Sequence, residues 1–393
     1  MKSNYKKLGD YIRPVDERNS NLAITNLQGV SITKEFVPSI ANIIGTDLST
    51  YKIVRTGQFA YGPVTSRNGD KISIALLKGE DCIISSSYSP FEVYKPDELL
   101  PEYLMLWFMR PEFDRYARFM SNGSAREVFD WDCMCGVNIP VPSINEQRMI
   151  VHDYQVITDR IELLRKINDS LLNYGLLYFE KTKVDDFARG DSWENCTVGS
   201  LVERGYITPP MDGNHGELHP KASDYVLSGV PFIMANDLSE GFVDYTKCSF
   251  ISEKQSKTLR KGFSKKGDVL LTHKATIGRV AIVNDEYETI VLTPQVTYYR
   301  PVNYISTVFL KYYFSSRDFQ LSLKAYADAG STRSYIGILE QLKLPVALAG
   351  NKSMQRLTNV LNSIESQRFN YNAEIHRLLE VRLLLTNNLI KGA

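Results

Sequence analysis

Residues 145–180 read NEQRMIVHDYQVITDRIELLRKINDSLLNYGLLYFE. The stretch follows a proline step, Ile139-Pro140-Val141-Pro142-Ser143-Ile144. It holds no proline and one glycine, Gly175. Apolar or aromatic residues fall at Ile150, Tyr154, Ile157, Ile161, Leu164, Leu171 and Tyr178, with Asn168 and Gly175 in the two gaps of the series. This alternation of four and three residues keeps one stripe on one helix face, and sustained this long it predicts a coiled-coil-like helix. At 1.5 Å per residue the stretch spans about 54 Å, which suits a spacer.

The C-terminal stretch repeats the pattern. Leu357, Leu361, Ile364, Tyr371, Ile375, Leu378, Leu385 and Leu389 hold the same spacing, with Arg368 and Arg382 in its gaps. A helix must bury such a stripe, and each of these two is the natural partner of the other. Polar residues in a seam weaken pairing but set its register.

The rest of the chain is also duplicated. Arg126 and Arg333 close the loops Asn122-Gly-Ser-Ala-Arg and Ala329-Gly-Ser-Thr-Arg, 207 residues apart. Pro140 and Pro345 are 205 apart, and Gln147 and Gln355 are 208 apart. Lys266-Gly-Asp-Val-Leu-Leu271 stands where Thr56-Gly-Gln-Phe-Ala-Tyr61 stood, Gly278–Val283 where Ile72–Leu77 stood, and Thr307–Phe314 where Tyr103–Phe108 stood. The fold class expected is α+β: two tandem globular α/β domains, at 1–143 and 185–349, separated by two long antiparallel coiled-coil-like helices, at 144–184 and 350–393, with pseudo-two-fold symmetry. A period near 207 residues is far too long for a solenoid.

Composition narrows the function. The chain has 393 residues, with ordinary apolar (43%) and charged (23%) shares, as expected of a soluble globular protein. No apolar run is long enough to span a membrane, and the first ten residues lack the apolar core of a signal peptide. Five cysteines without framework spacing fit a reducing, cytoplasmic setting. A net charge of +1 is low for a protein that binds DNA strongly by itself. Catalytic signatures are missing: no phosphate-binding G-x-x-x-x-G-K-[ST] loop, no G-x-G-x-x-G after a strand, and only Thr208-Pro-Pro-Met211 where an adenine methyltransferase needs Asn/Asp-Pro-Pro-aromatic. His215 and His219 lie in a loop without a neighbouring cysteine, a weak zinc signal, and Cys133 and Cys135 read as small core residues. No catalytic or metal residue is expected.

Binding chemistry is present. Lys254, Lys257, Arg260 and Lys261, followed by Lys265 and Lys266, form a basic run with no acid, suited to tracking phosphates. A solvated helical face is the alternative. Turns beside the matched strands carry side chains able to reach base edges: Arg55, Arg67, Asn68 and Lys71 in the first unit, and His273, Lys274, Thr276 and Arg279 in the second. The repeated loops add Ser124 and Arg126, and Ser331, Thr332 and Arg333, where small residues permit close backbone approach.

The arrangement resembles the specificity subunit of type I restriction–modification systems over essentially the whole chain. The carriers are Ile139-Pro-Val-Pro-Ser-Ile-Asn-Glu-Gln147-Arg-Met-Ile150, the repeated Gly-Ser-x-Arg loop, Gly267-Asp-Val-Leu-Leu271 and Ala275-Thr-Ile-Gly-Arg279. The resemblance implies a non-catalytic subunit. Each of its domains reads a few base pairs of double-stranded DNA, and the two unlike half-sites form a bipartite asymmetric target. Two modification subunits that methylate adenine would be its partners, with motor–nuclease restriction subunits. S-adenosylmethionine, ATP and Mg would sit on those partners only, with no cofactor on this chain. Glu146, Gln147 and Ile150, and Gln355 at the second junction, are the expected partner contacts, beside a second apolar flank at Val151, Val156 and Leu163. The second junction, Leu344-Pro-Val-Ala-Leu-Ala-Gly-Asn-Lys-Ser-Met-Gln355, lacks the second proline and the Glu, so a later helix start is expected there. Two other readings remain: the specificity subunit of a related enzyme with a fused cleavage–methylation chain, and a coiled-coil scaffold without a DNA role.

Overall fold

The computed structural model describes residues 5–40, 45–66, 68–121, 127–191, 193–328 and 335–388. The chain divides into unit 1, Met1–Leu163 with Glu374–Ala393, and unit 2, Leu164–Ala373. The fold is mixed helix and sheet, and its two long helices are Ile144–Arg189 and Asn351–Asn388.

The first long helix has 46 residues and outruns the Glu180 end expected from the apolar series. Its buried face continues through Phe179, Thr182 and Asp186, and polar positions hid that continuation. The second starts at Asn351, 207 residues after Ile144, so it does not start late. A proline and an acid are one way to open a helix. Here the chain leaves the strand Pro345–Ala349 and enters the helix directly, with Met354 N–H donating to Gly350 O (2.8 Å).

Within each unit the two helices run antiparallel. In unit 1, Arg160 pairs with Glu374 (2.9 Å) and the Arg382 guanidinium lies 5.8 Å from the Tyr154 ring centre. In unit 2, Arg368 Nε donates to Asn168 O (3.3 Å) and Arg356 pairs with Asp186 (2.6 Å). The seam gaps at Gly175 and Arg368 have a cause in unit 2. A Cβ on Gly175 would lie 2.4 Å from the Tyr312 ring, so glycine there lets the helix Thr307–Ser315 abut the long helix. Arg368 is fully buried, as are Lys311 and Glu365. Glu365 is ion-paired with Lys311 (2.6 Å) and accepts from Arg368 (2.8 Å) and Tyr312 (2.7 Å), and burial pulls Lys311 down to about 7.

The duplication is carried into sheet order. Unit 1 has a four-stranded antiparallel sheet in the order Ile12–Pro14, Ser89–Val93, Phe59–Tyr61, Ile74–Leu76. Unit 2 has Met211–Asp212, Val296–Tyr299, Val269–Lys274 and Thr276–Ile282 in the same order, then two further strands, Phe242–Val243 and Leu238–Ser239. The turns entering the matched strands are alike. Gly57 and Gly267 have φ of +89° and +88°, a region that glycine enters at little cost. Gln58 Oε1 accepts from Arg55 N–H (2.8 Å), as Asp268 Oδ2 accepts from Lys265 N–H (2.9 Å). Each unit also ties its entry strand to the strand before its long helix, Tyr5–Lys7 with Asn138–Pro140 and Trp193–Thr197 with Pro345–Ala349.

One joint is built twice from different residues. In unit 1, Asp114 Oδ1 accepts from Ile72 N–H (3.2 Å) and from the buried Lys34 ammonium (2.6 Å), which also donates to Phe108 O (2.7 Å). In unit 2, Gln320 Nε2 alone donates to Gly278 O (3.0 Å) and Phe314 O (2.6 Å). Each residue of the second set lies 206 positions after its counterpart: 114 and 320, 72 and 278, 108 and 314.

Candidate nucleic-acid interface

In both units a hairpin tip is joined to the flank of the Gly-Ser loop. In unit 1, Val64 bridges Val128, with Thr65 N–H donating to Glu127 O (3.0 Å) and Phe129 N–H to Pro63 O (2.8 Å). In unit 2, Lys274 bridges Tyr335 and Ile336 N–H donates to His273 O (3.1 Å). The flank of each repeated loop is therefore tied to the tip that carries Asn68 and Lys71 in unit 1 and Lys274 and Thr276 in unit 2, while Arg55 lies at the other end of its strand. Of the named residues, Arg67, Ser124, Arg126, Ser331, Thr332 and Arg333 lie outside the described residues.

Beside each tip lies a hollow, again duplicated. Asp70, Lys71, Pro111, Asp114, Arg115, Arg118 and Phe119 line the one in unit 1. Thr276's neighbours Ala275 and Ile277 line the one in unit 2, with Arg317, Gln320, Leu321 and Lys324. Arg115, Arg118, Arg317 and Lys324 were missed in the sequence. They sit on amphipathic helices, Pro111–Met120 and Arg317–Asp328, where a charged outer face is ordinary. The signal that finds them is their place on the helix that leads into each repeated loop.

Unit 2 gathers more charge. Strand register sets Asp212 opposite Thr297 and Thr297 opposite Leu271, so the loop after Asp212 and the tip after His273 leave the same end of the sheet. The basic run is brought to that end. Lys261 pairs with buried Asp212, Asn214 Oδ1 accepts from Arg260 N–H (3.0 Å), and Asn214 Nδ2 donates to Lys261 O (2.6 Å). Two glycines permit the close packing there: a Cβ on Gly262 would lie 2.8 Å from the Gly213 Cα, and one on Gly213 would run into the Leu292 carbonyl. His215 Nε2 is hydrogen-bonded to Asp212 (2.7 Å), and among the described residues no cluster of His, Cys, Asp and Glu has the makings of a metal site.

Several expected readers are otherwise engaged. Arg55 is held between Glu17 and Asp81, which hold its guanidinium more firmly protonated than usual. Arg279 donates to the carbonyls of Ala235 (3.2 Å) and Leu238 (3.1 Å). His273 is fully buried: Nδ1 bonds Ile336 O (2.9 Å) and burial pulls the ring down to about 4, so it is neutral. Only Glu253–Ser256 of the basic run is helical, so the run is not one helical face. Asn68 and Thr276 are half-buried, and Lys71, Lys254, Lys257, Arg260 and Lys274 are exposed.

No family model and no curated protein matches the sequence. Among solved structures, the chain is similar to the crystal structure of a type I restriction–modification S subunit from M. genitalium: 14% identity, TM-score 0.55, 98% of this chain and 95% of that one. The fold is that of a type I S subunit. An HsdS subunit from Thermoanaerobacter tengcongensis aligns at 16% identity over 99% of this chain and 96% of that one, with a TM-score of 0.38.

On this S-subunit fold the junction residues fall differently from expectation. Gln147 is fully buried: Oε1 accepts from Leu100 N–H (2.8 Å), and Nε2 donates to Glu98 O (2.8 Å) and Pro142 O (2.9 Å). It cannot also face a partner. Glu146 caps its own helix, accepting from Ser143 N–H (2.9 Å) and Oγ (2.7 Å), bonds that hold its carboxyl below the usual range. Ile150 packs against the unit 1 core. Matching the helix starts sets Gln147 against buried Met354, one residue off the Gln147–Gln355 match; Gln355 is exposed and lines a hollow with Tyr304 and Thr358. What the first helix does expose is a stripe at seven-residue spacing in unit 1, Met149, Val156 and Leu163. No helix among the described residues is long and apolar enough to cross a membrane.

Proposed function

We propose that this chain is the DNA sequence-recognition subunit of a type I restriction–modification assembly. It catalyses nothing itself. Unit 1 and unit 2 each read one half of a bipartite, asymmetric target, and partner subunits methylate adenine or cut. One observation carries the reading: in both units a bridge joins the hairpin tip to the flank of the Gly-Ser-x-Arg loop, beside a hollow that two or more Arg and Lys side chains line, on unlike side chains. Like frames with unlike side chains suit two half-sites of different sequence. Arg, Lys and Asn are the residue types that read guanine and adenine edges, and the exposed Lys254, Lys257 and Arg260 suit phosphates.

The partners are two modification subunits, which hold S-adenosylmethionine, and restriction subunits, which use ATP and Mg. Their phosphate contacts supply the affinity that a +1 chain lacks. The modification subunit docks on the exposed stripe at Met149, Val156 and Leu163, with Gln355 exposed at the second junction.

The test is a map of N6-methyladenine in the host genome with and without the gene. Loss of one bipartite, asymmetric motif supports the proposal. An unchanged map in a strain with a working modification subunit overturns it and favours a scaffold role.

A further inference from the structure

The bridge that joins tip to loop is apolar in unit 1 and aromatic in unit 2. Val64 faces Val128 in the first, and Lys274 faces Tyr335 in the second. The Tyr335 ring is 42% exposed although its edge is held. Its centre is 5.7 Å from the ring of buried His273 and 5.7 Å from Lys274 Nζ. Between Lys274 and Thr276, Ala275 is in the left-handed region (φ +65°), a conformation costing about 1 kcal/mol for a residue with a Cβ. A strained tip thus holds a braced, part-open ring with a cation over it. The same sheet end carries Arg260 and Lys261. Charge there draws phosphates, while an apolar ring face suits a deoxyribose, a thymine methyl or a base step opened by a kink.

We propose that Tyr335 is a stacking contact of unit 2 on double-stranded DNA, its ring packing against a base or deoxyribose of that unit's half-site, with no counterpart at Val128 in unit 1. This rests on the recognition role proposed above. The two half-sites are then gripped by different chemistry, one through a ring and one without it.

The experiment uses the full chain assembled with its modification subunits and a duplex bearing the methylated motif. Each pyrimidine of both half-sites is replaced in turn by its 5-iodo analogue, which cross-links to adjacent aromatic residues on irradiation. The expected result is a cross-link to Tyr335 from one half-site only. Tyr335→Phe keeps it. Tyr335→Val, the side chain that unit 1 uses, abolishes it and weakens specific binding about 5- to 150-fold, with the unfolding temperature and subunit assembly unchanged. The proposal is overturned if the parent protein gives no cross-link to Tyr335 from any position while binding the motif selectively. It is equally overturned if Tyr335→Val binds as tightly as the parent. Absence of any sequence-selective binding by the assembly overturns the recognition role itself, and this proposal with it. The cross-link on the parent protein decides the matter even where a variant fails to fold.

Discussion

Replacing Gln147 by alanine separates a structural anchor from a partner contact. The Gln147 amide fills a buried gap where one N–H, from Leu100, and two carbonyls, of Glu98 and Pro142, converge. Alanine strands all three. Each buried hydrogen bond contributes about 1 kcal/mol net, so the loss is about 3 kcal/mol. For a unit of this size 1 kcal/mol corresponds to about 2–4 °C, so the unit 1 transition falls by about 6–12 °C. Glu146→Ala, which removes the exposed capping carboxylate one residue earlier, serves as the control, with a much smaller thermal shift expected. Calorimetric unfolding of the full chain reads both, and a mixing assay with the modification subunit reads assembly. The anchoring role predicts a large thermal shift for Gln147→Ala, with assembly kept below the transition. An unchanged unfolding temperature together with lost assembly would refute it and restore Gln147 as a docking residue.

Asp186 accepts from Trp193 Nε1 (2.9 Å), Arg189 (2.7 Å) and Arg356 (2.6 Å); burial alone would raise its pKa, but these donors lower it to about 2. Its stabilisation is therefore full above the ordinary carboxylate range, near 3.9, and lost as pH falls through about 2. Asp186→Asn should lower the unfolding temperature at neutral pH and flatten its fall between pH 4 and 2. Gly175→Ala should destabilise unit 2, because the overlap with Tyr312 outweighs the gain of about 1 kcal/mol in helix propensity; in a Tyr312→Ala background the sign should reverse, as read by denaturant unfolding. Arg368→Met strands the carbonyls of Asn168 and Glu240, while Glu365 keeps Lys311 and Tyr312, and should cost about 2–3 kcal/mol; Lys311→Met strands no carbonyl, leaves Glu365 paired with Arg368 and should cost less. Deleting seven residues from both long helices, within Tyr154–Gly175 and within Tyr371–Leu389, should keep both half-site sequences and alter only the gap between them in a methylation map. A change in the half-sites would show that the helices do more than set spacing.

Much of the architecture is written in periodicity. The seam at Ile150–Tyr178 predicts a long helix because apolar spacing survives whatever packs against it, and the repeated turn glycine, Gly57 and Gly267, marks matched strands because a left-handed residue is needed at both places. What the sequence hides is the partner of each polar group. Gln147 reads as an exposed junction residue until Glu98 and Leu100, nearly fifty residues earlier, are seen to enclose it. Arg55 reads as a free cation until Glu17 and Asp81 converge on it. The basic run reads as a helical face because its attachment to the sheet end runs through Asp212 and Asn214, and ion pairs at such separation leave no periodic trace.

The joint made once by Lys34 with Asp114 and once by Gln320 bears on how the two halves can diverge. In unit 2 a single amide does the work, so one codon change removes or restores it. In unit 1 the work is split between two buried, opposite charges, and losing either strands the other at a cost of about 3–5 kcal/mol. That half can abandon its joint only by two coordinated changes, across a valley a marginally stable chain seldom survives. Descendants of one ancestral segment would thus drift at unequal rates, with the second half freer to explore new sequences beneath its reading surface.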